Sequence, residues 1–138
     1  MNIVILGGAG LMGSGTVRDL VSELSSGVDS LVVADVSPQR MDELLSELND
    51  ERISSVILDV TNKDATMALL RNADICINAV PTFAGYQMDI FHYCLEAKTP
   101  YVDYGGMGVY TVKQKKEHAE WEKAGVTAVL GLGADPGM

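Results

Sequence analysis

Six short, mostly apolar runs mark the chain, at residues 3–6, 31–34, 56–58, 75–80, 101–104 and 126–130. Each is too short for a helix and too continuous for a strand with one wet face, so each predicts a buried strand. Between them the apolar spacing changes to three and four residues, the period of a helix with one buried face. Val17, Leu20, Val21 and Leu24 predict a first helix over residues 10–24, ended by Ser25-Ser26-Gly27. Ser37 caps a second helix with Pro38 at its first position, and Met41, Leu44, Leu45 and Leu48 form its stripe. Thr61-Asn62-Lys63-Asp64 reads as a capping box, with Asp in place of Glu, for a short helix ending at Leu70. Ile90, Phe91, Cys94 and Leu95 mark a helix over 84–97. A polar helix over 109–123 ends at Gly125.

Strands and helices thus alternate six times. That pattern belongs to an α/β fold with a parallel sheet covered on both faces. The expected architecture is a Rossmann-type doubly wound sheet of about six strands in the order 3-2-1-4-5-6. A ligand would lie across the carboxyl ends of the strands. No linker, repeat or low-complexity segment divides the chain, so residues 1–138 read as one domain.

The composition fits a globular domain, with 47% apolar and 21% charged residues. Ten basic and 19 acidic residues give a net charge of −9, which argues against nucleic acid and anionic membranes as partners. Lys113, Lys115 and Lys116 are interleaved with Gln114 and followed by Glu117, so they form no basic tract. No apolar run approaches the ~20 residues that cross a bilayer. Met1 leads directly into a core strand, which predicts no signal peptide. Cys76 and Cys94 lie in apolar segments and read as reduced, buried thiols. A cytoplasmic location is expected. His92 and His118 stand alone in helices, without metal-ligand spacing, and no metal site is expected. Trp121 and the seven methionines read as packing residues.

Candidate chemistry begins at the first strand's exit. Gly8, Gly10 and Gly13 follow Ile3-Val4-Ile5-Leu6, giving G-x-G-x-x-G, with Ala9, Leu11 and Met12 between them. In a dinucleotide site the first glycine allows a tight turn. The second lets a pyrophosphate approach the backbone, and the third lets the helix pack on the strand. The anion then sits at a helix N-terminus. Asp35, followed by Val36, ends the second strand 22 residues past Gly13. A carboxylate there accepts hydrogen bonds from the adenosine ribose and repels a 2′-phosphate, which favours NAD over NADP. Arg40 stands five residues on. It either reaches a 2′-phosphate, leaving NADP open, or is a surface residue of the second helix. Asp59-Val60 at the third strand's exit fall beside the adenine, although Asp59 reads equally as a plain strand-end residue. Asn78-Ala79-Val80-Pro81 fall under the nicotinamide half. Asp103, at the fifth strand's exit, either orients a substrate or caps the Gly105-Gly106 turn. It is the weak candidate for a catalytic role, which otherwise stays unassigned.

Three segments together resemble the saccharopine dehydrogenase superfamily: Ile5–Gly13, Tyr101-Val102-Asp103-Tyr104-Gly105-Gly106, and Gly131-Leu132-Gly133-Ala134-Asp135-Pro136-Gly137. The superfamily includes saccharopine reductases, lysine 6-dehydrogenases and carboxynorspermidine dehydrogenases. The resemblance implies the NAD(P)-binding domain of an oxidoreductase. Such an enzyme transfers a hydride at the C–N bond of an amino-acid-type substrate, saccharopine- or lysine-like, through an imine. It further implies a substrate and dimerisation domain after residue 138, a homodimer, and little turnover by these 138 residues alone. Two other readings remain. Stand-alone NAD(H)-sensing modules of transporters share the opening pattern. Gly7-x-x-Gly10-x-x-Gly13 also fits short-chain reductases, but none of the five tyrosines has a lysine four residues later to complete their acid–base pair.

Overall fold

A computed structural model of the chain describes residues 1–133. The Asp135-Pro136-Gly137 part of the ending motif lies outside them. Among the described residues six strands form one parallel sheet: β1 Asn2–Leu6, β2 Ser30–Asp35, β3 Ile53–Ile57, β4 Ile75–Asn78, β5 Tyr101–Asp103 and β6 Ala128–Val129. Their order is β3-β2-β1-β4-β5-β6, as expected. The helices are α1 Leu11–Val21, α2 Pro38–Leu48, α3 Lys63–Leu70, α4 Gln87–Ala97, α5 Gly108–Lys116 and α6 His118–Ala124. β1 pairs with β2 on one side and β4 on the other, so the winding reverses at β1. The first and fourth strand exits therefore open side by side.

Both sheet faces are covered, which explains why the strand runs are unbroken. Side chains along β1 alternate between two cores. Ile3 and Ile5 pack with Val17, Leu31, Val33, Met41 and Leu44. Val4 and Leu6 pack with Leu70, Cys76, Ile90, Phe91, Cys94, Tyr101 and Trp121. In this second core Phe91 meets Trp121 at 4.5 Å between ring centroids and Tyr101 edge-on at 5.3 Å.

Several element boundaries differ from those expected. α1 stops at Val21 because Ser22 and Ser25 both donate to the Asp19 carbonyl (2.7 Å each). Leu24, expected on the buried face, is 95% exposed. β3 begins three residues earlier than its apolar run, since Ser54 and Ser55 are exposed on the edge strand yet pair with β2. β4 ends at Asn78, whose Oδ1 takes the Val80 N–H (3.1 Å) and turns the chain. The cap of α3 is Asn62, not Thr61: Asn62 Oδ1 accepts from Ala65 N (3.1 Å), while the Thr61 hydroxyl donates to Asp59. α4 starts at Gln87, after a 3-10 turn at Thr82–Ala84 and Gly85 with φ +89°. The single helix expected over 109–123 is two helices, broken at Glu117, whose carboxylate meets His92 Nε2 at 2.8 Å.

The glycine loop is set by lack of space. Gly7, with φ +75°, makes the turn, and a Cβ there would lie 2.9 Å from Val80 N. This is the role expected of Gly8. Gly8 instead leaves room for Val33, whose Cγ1 would be 2.7 Å from an added methyl. A Cβ on Gly13 would strike the Gly7 carbonyl oxygen and the Gly8 Cα, both backbone atoms.

Gly13→Ala is therefore expected to force α1 off β1 and destabilise the fold by about 1–3 kcal/mol, measured by urea unfolding. Phe91→Ala, which empties the aromatic cluster, is expected to cost about 3–5 kcal/mol in the same assay. A change below half a kilocalorie in either variant would contradict the packing described.

Candidate functional site

A cleft of about 740 Å³ runs across the carboxyl ends of the strands. Its floor at the centre is the glycine loop. Gly7 N and Gly8 N both donate to the Ala34 carbonyl of β2 (2.8 and 3.2 Å), and Ala79 N donates to Leu6 O (2.8 Å). The loop is thus tied to strands on either side. α1 starts directly from it, with Gly10 as a cap that brings no side-chain hydrogen bond. The first-turn N–H groups have no partner within the helix, and no cap side chain covers them. They leave a positive, hydrogen-bonding surface at the cleft, suited to an anion. An added Cβ at Gly10 would crowd the Gly7 carbonyl oxygen at 3.2 Å and meet no other described atom within 4 Å.

At the β2 exit Asp35 is 7% exposed. Its Oδ2 accepts from Ala9 N and its Oδ1 from Ser37 N, both at 3.0 Å. Two backbone amides therefore fix the carboxylate in one orientation at the cleft wall. Val36 beside it is 64% exposed. Ser37 caps α2 through Arg40 N (3.4 Å), which places Arg40 in the first turn. Arg40 lines the cleft and also an adjoining hollow of about 410 Å³ with Ala9, Ser14 and Arg18.

At the β3 exit Asp59 Oδ1 accepts from the Thr61 hydroxyl (2.7 Å) and N–H (2.9 Å). These bonds, the hydroxyl's first, hold its carboxyl below the ordinary range. Asp59 is thus both a turn-forming residue and part of the cleft wall, with Val60. At the β4 exit Asn78, Ala79, Val80 and Pro81 line the opposite wall.

The cleft brings together Gly10, Leu11, Met12, Asp35, Val36, Arg40, Asp59, Val60 and the four β4-exit residues. Gly8 and Gly13 are packed behind the loop and do not line it. Ala9 faces the adjoining hollow. Asp103 does not line the cleft either: it is 1% exposed, and Gly105 N (2.8 Å) caps onto its Oδ1. That bond is the turn-capping alternative. Sequence reasoning did not select Gly7, Phe83, Tyr86, Gln87 or Tyr104, all of which line the cleft. Phe83 is 85% exposed on the 3-10 turn. An aromatic two residues past a strand-ending proline was its available signal. Tyr104 is half-buried, with its hydroxyl on Thr16 Oγ1. Burial raises its phenol above the ordinary value, and the Thr16 bond opposes that. Among the described residues no group of three His, Cys, Asp or Glu could hold a metal, and no helix is long and apolar enough to cross a membrane.

Comparison with known proteins agrees with this architecture. The family described as saccharopine dehydrogenase NADP binding domain matches residues 3–129. Carboxyaminopropylagmatine dehydrogenase of Synechocystis sp. is 28% identical over 93% of the chain, which spans about a third (34%) of that relative's length. Among solved structures, saccharopine dehydrogenase (L-Glu forming) from Saccharomyces cerevisiae superposes with a TM-score of 0.74 and 22% identity, covering 99% of this chain and 28% of that one. DesIV, a dTDP-glucose 4,6-dehydratase from Streptomyces venezuelae with NAD and TYD bound, gives 0.72 at 16% identity, covering 94% and 54%. These two show the shared fold. None of these matches supports the transporter-module alternative. Matched by one family over nearly its whole length, and carrying a glycine loop under a strand-exit cleft, the chain belongs to the saccharopine dehydrogenase NADP-binding domain family.

Proposed function

We propose that this domain holds a nicotinamide dinucleotide along the strand exits and presents it to the C–N bond of an amino-acid-type substrate, saccharopine- or lysine-like. The observation that carries the reading is the uncapped start of α1 over Gly7 and Gly10, opening into the same cleft as the Asp35 carboxylate. A pyrophosphate needs the first feature and an adenosine ribose the second. Their presence in one cleft fits the group. The substrate class draws support from two relatives, named as dehydrogenases of saccharopine and of carboxyaminopropylagmatine.

In this reading the α1 first-turn amides take the pyrophosphate, with Gly10 giving it access to the backbone. Gly8 and Gly13 act indirectly, by letting the loop lie close to β2 and α1. Asp35 accepts from the ribose hydroxyls, and Ala9 N keeps it aimed. Val36, Asp59 and Val60 flank the adenine. Ala79, Val80 and Pro81 support the nicotinamide half, and Phe83 covers apolar surface and excludes water there. The nicotinamide ring, when bound, supplies or accepts the hydride that interconverts the amine and the imine. The chain's own part is orientation and exclusion of solvent. No side chain of the described cleft is assigned as the acid or base.

Asp35 favours NAD, because a 2′-phosphate would face a fixed carboxylate. A second reading, NADP, is supported by Arg40 at the junction of cleft and hollow and by the family's description. Titration calorimetry on the full-length chain separates them. NADH is expected to bind more tightly than NADPH, and Asp35→Asn to weaken NADH about tenfold, or about 1.4 kcal/mol. Arg40→Ala is expected to leave NADH unchanged. Tighter NADPH binding, lost in Arg40→Ala, would establish the second reading. Nucleotide reduction with one amine from a saccharopine, lysine and polyamine panel is the expected turnover result. Tight binding without turnover across the panel would reject the substrate class.

A further inference from the structure

Beneath the exits of β4, β5 and β6 lies a buried polar cluster that the cofactor contacts do not explain. Asn78, Gln87, Tyr101, Asp103 and Gln114 are each no more than 3% exposed. Asp103 Oδ1 accepts from Gly105 N and Gly131 N, both at 2.8 Å. Its Oδ2 accepts from Gln87 Nε2 (2.7 Å) and Gln114 Nε2 (2.9 Å). The Tyr101 hydroxyl oxygen meets Asn78 Nδ2 at 3.0 Å and Gln87 Nε2 at 3.1 Å. Asn78 and Asp103 are register partners on adjacent strands. Asn78 Oδ1 holds Val80 N, and the Asp103 carbonyl holds Leu132 N (2.8 Å).

This arrangement is an expensive way to hold two strands together. A buried carboxylate among neutral donors is tolerated only when its oxygens are satisfied, and apolar pairs would serve stability as well. Gln114 Oε1 has no partner among the described residues, and the contact that α5 brings to Asp103 through this residue is its N–H donor. Burial and the neighbouring Asp103 charge raise the Tyr101 phenol above its ordinary value, which keeps the hub a neutral hydroxyl. What the cluster does beyond stability is join three loops. Val80, Gly105 and Gly106 line the cleft, and the positive φ of Gly105 and Gly106 bends the β5 exit towards it. The glycine loop and Asp35 have their own anchors and, among the described residues, make no hydrogen bond to this cluster.

We infer that Asp103 is a positioning residue, which locks the β4, β5 and β6 exits into one wall and so shapes the nicotinamide half of the cleft, leaving the adenosine half independent. The inference rests on the dinucleotide reading above. It separates two quantities that a merely structural residue would change together: affinity for the whole dinucleotide, and affinity for its adenosine half.

The test is calorimetry on the full-length chain with NADH and ADP as probes. Asp103→Ala is expected to weaken NADH about tenfold or more and to leave ADP within about twofold. Asp103→Asn keeps one acceptor oxygen for the Gly105 and Gly131 amides, and Gln114 can turn its Oε1 to the new NH2, but the Gln87 NH2, whose own Oε1 accepts from Asn78, then faces a donor. That variant is expected to weaken NADH less than Asp103→Ala does and to leave ADP within about twofold. Equal losses for NADH and ADP, or unchanged NADH binding by a folded Asp103→Ala protein, would overturn the inference. Should circular dichroism show Asp103→Ala unfolded, Gln114→Leu removes one donor from Oδ2 and the orphaned acceptor with it. NADH weakened about threefold with ADP unchanged then supports the positioning role, and no change in either overturns it. A wild-type chain that binds neither probe sinks the dinucleotide reading itself, and the positioning role with it.

Discussion

The first turn of α1 sits so close to the exit of β1 that the Gly7 carbonyl would touch a methyl group on Gly13. Everything at the carboxyl edge of the sheet follows from that approach. It brings the helix start directly over the strand end, where the loop amides reach the Ala34 carbonyl and Ala9 N reaches Asp35. The side chains that these glycines lack would push the loop away from β2, and Asp35 would lose one of its two amide partners. The glycines are therefore steric requirements of the fold first. Binding is a consequence of where they leave the helix.

The sheet adds the second constraint. Its winding reverses at β1, so the β4 exit opens next to the glycine loop with no helix between them. Val80 N lies against Gly7, and the two halves of the cleft meet at that contact. On one side, backbone amides fix a single carboxylate. On the other, a hydrogen-bonded cluster fixes several loops at once. The same edge of the sheet thus carries two different means of holding geometry.

Much of this was legible in the chain. Strand order and the line Gly10, Asp35, Asp59, Asn78 along the exits follow from apolar runs and from the rule that ligands bind outside strand ends. The errors have physical causes. Leu24 fits the helical stripe of α1, but Ser22 and Ser25 capture the Asp19 carbonyl and end the helix first. Ser54 and Ser55 look like a loop because an edge strand can face water on positions that a central strand buries. Gly7 and Gly8 are indistinguishable in a sequence, since only backbone angles show which one turns. The Asp103 cluster was hidden for a different reason. Its members come from β4, α4, β5 and α5, so no spacing along the chain brings Gln87 and Gln114 to one carboxylate.

The two cores divided by the sheet have a consequence for how the protein can change. Val17, Met41 and Leu44 back the glycine loop and Asp35 on one face. Phe91, Tyr101 and Trp121 back the β4 and β5 exits on the other. Side chains on opposite faces share few neighbours, so the free-energy effects of substituting them should add. A substitution in the core beneath α1 and α2 is nonetheless felt along both halves of the cleft, since Ala79 packs there, while Leu58 and Val60 pack with the opposite core. The domain is modular across its thickness, with the sheet as the partition, and not along the cleft.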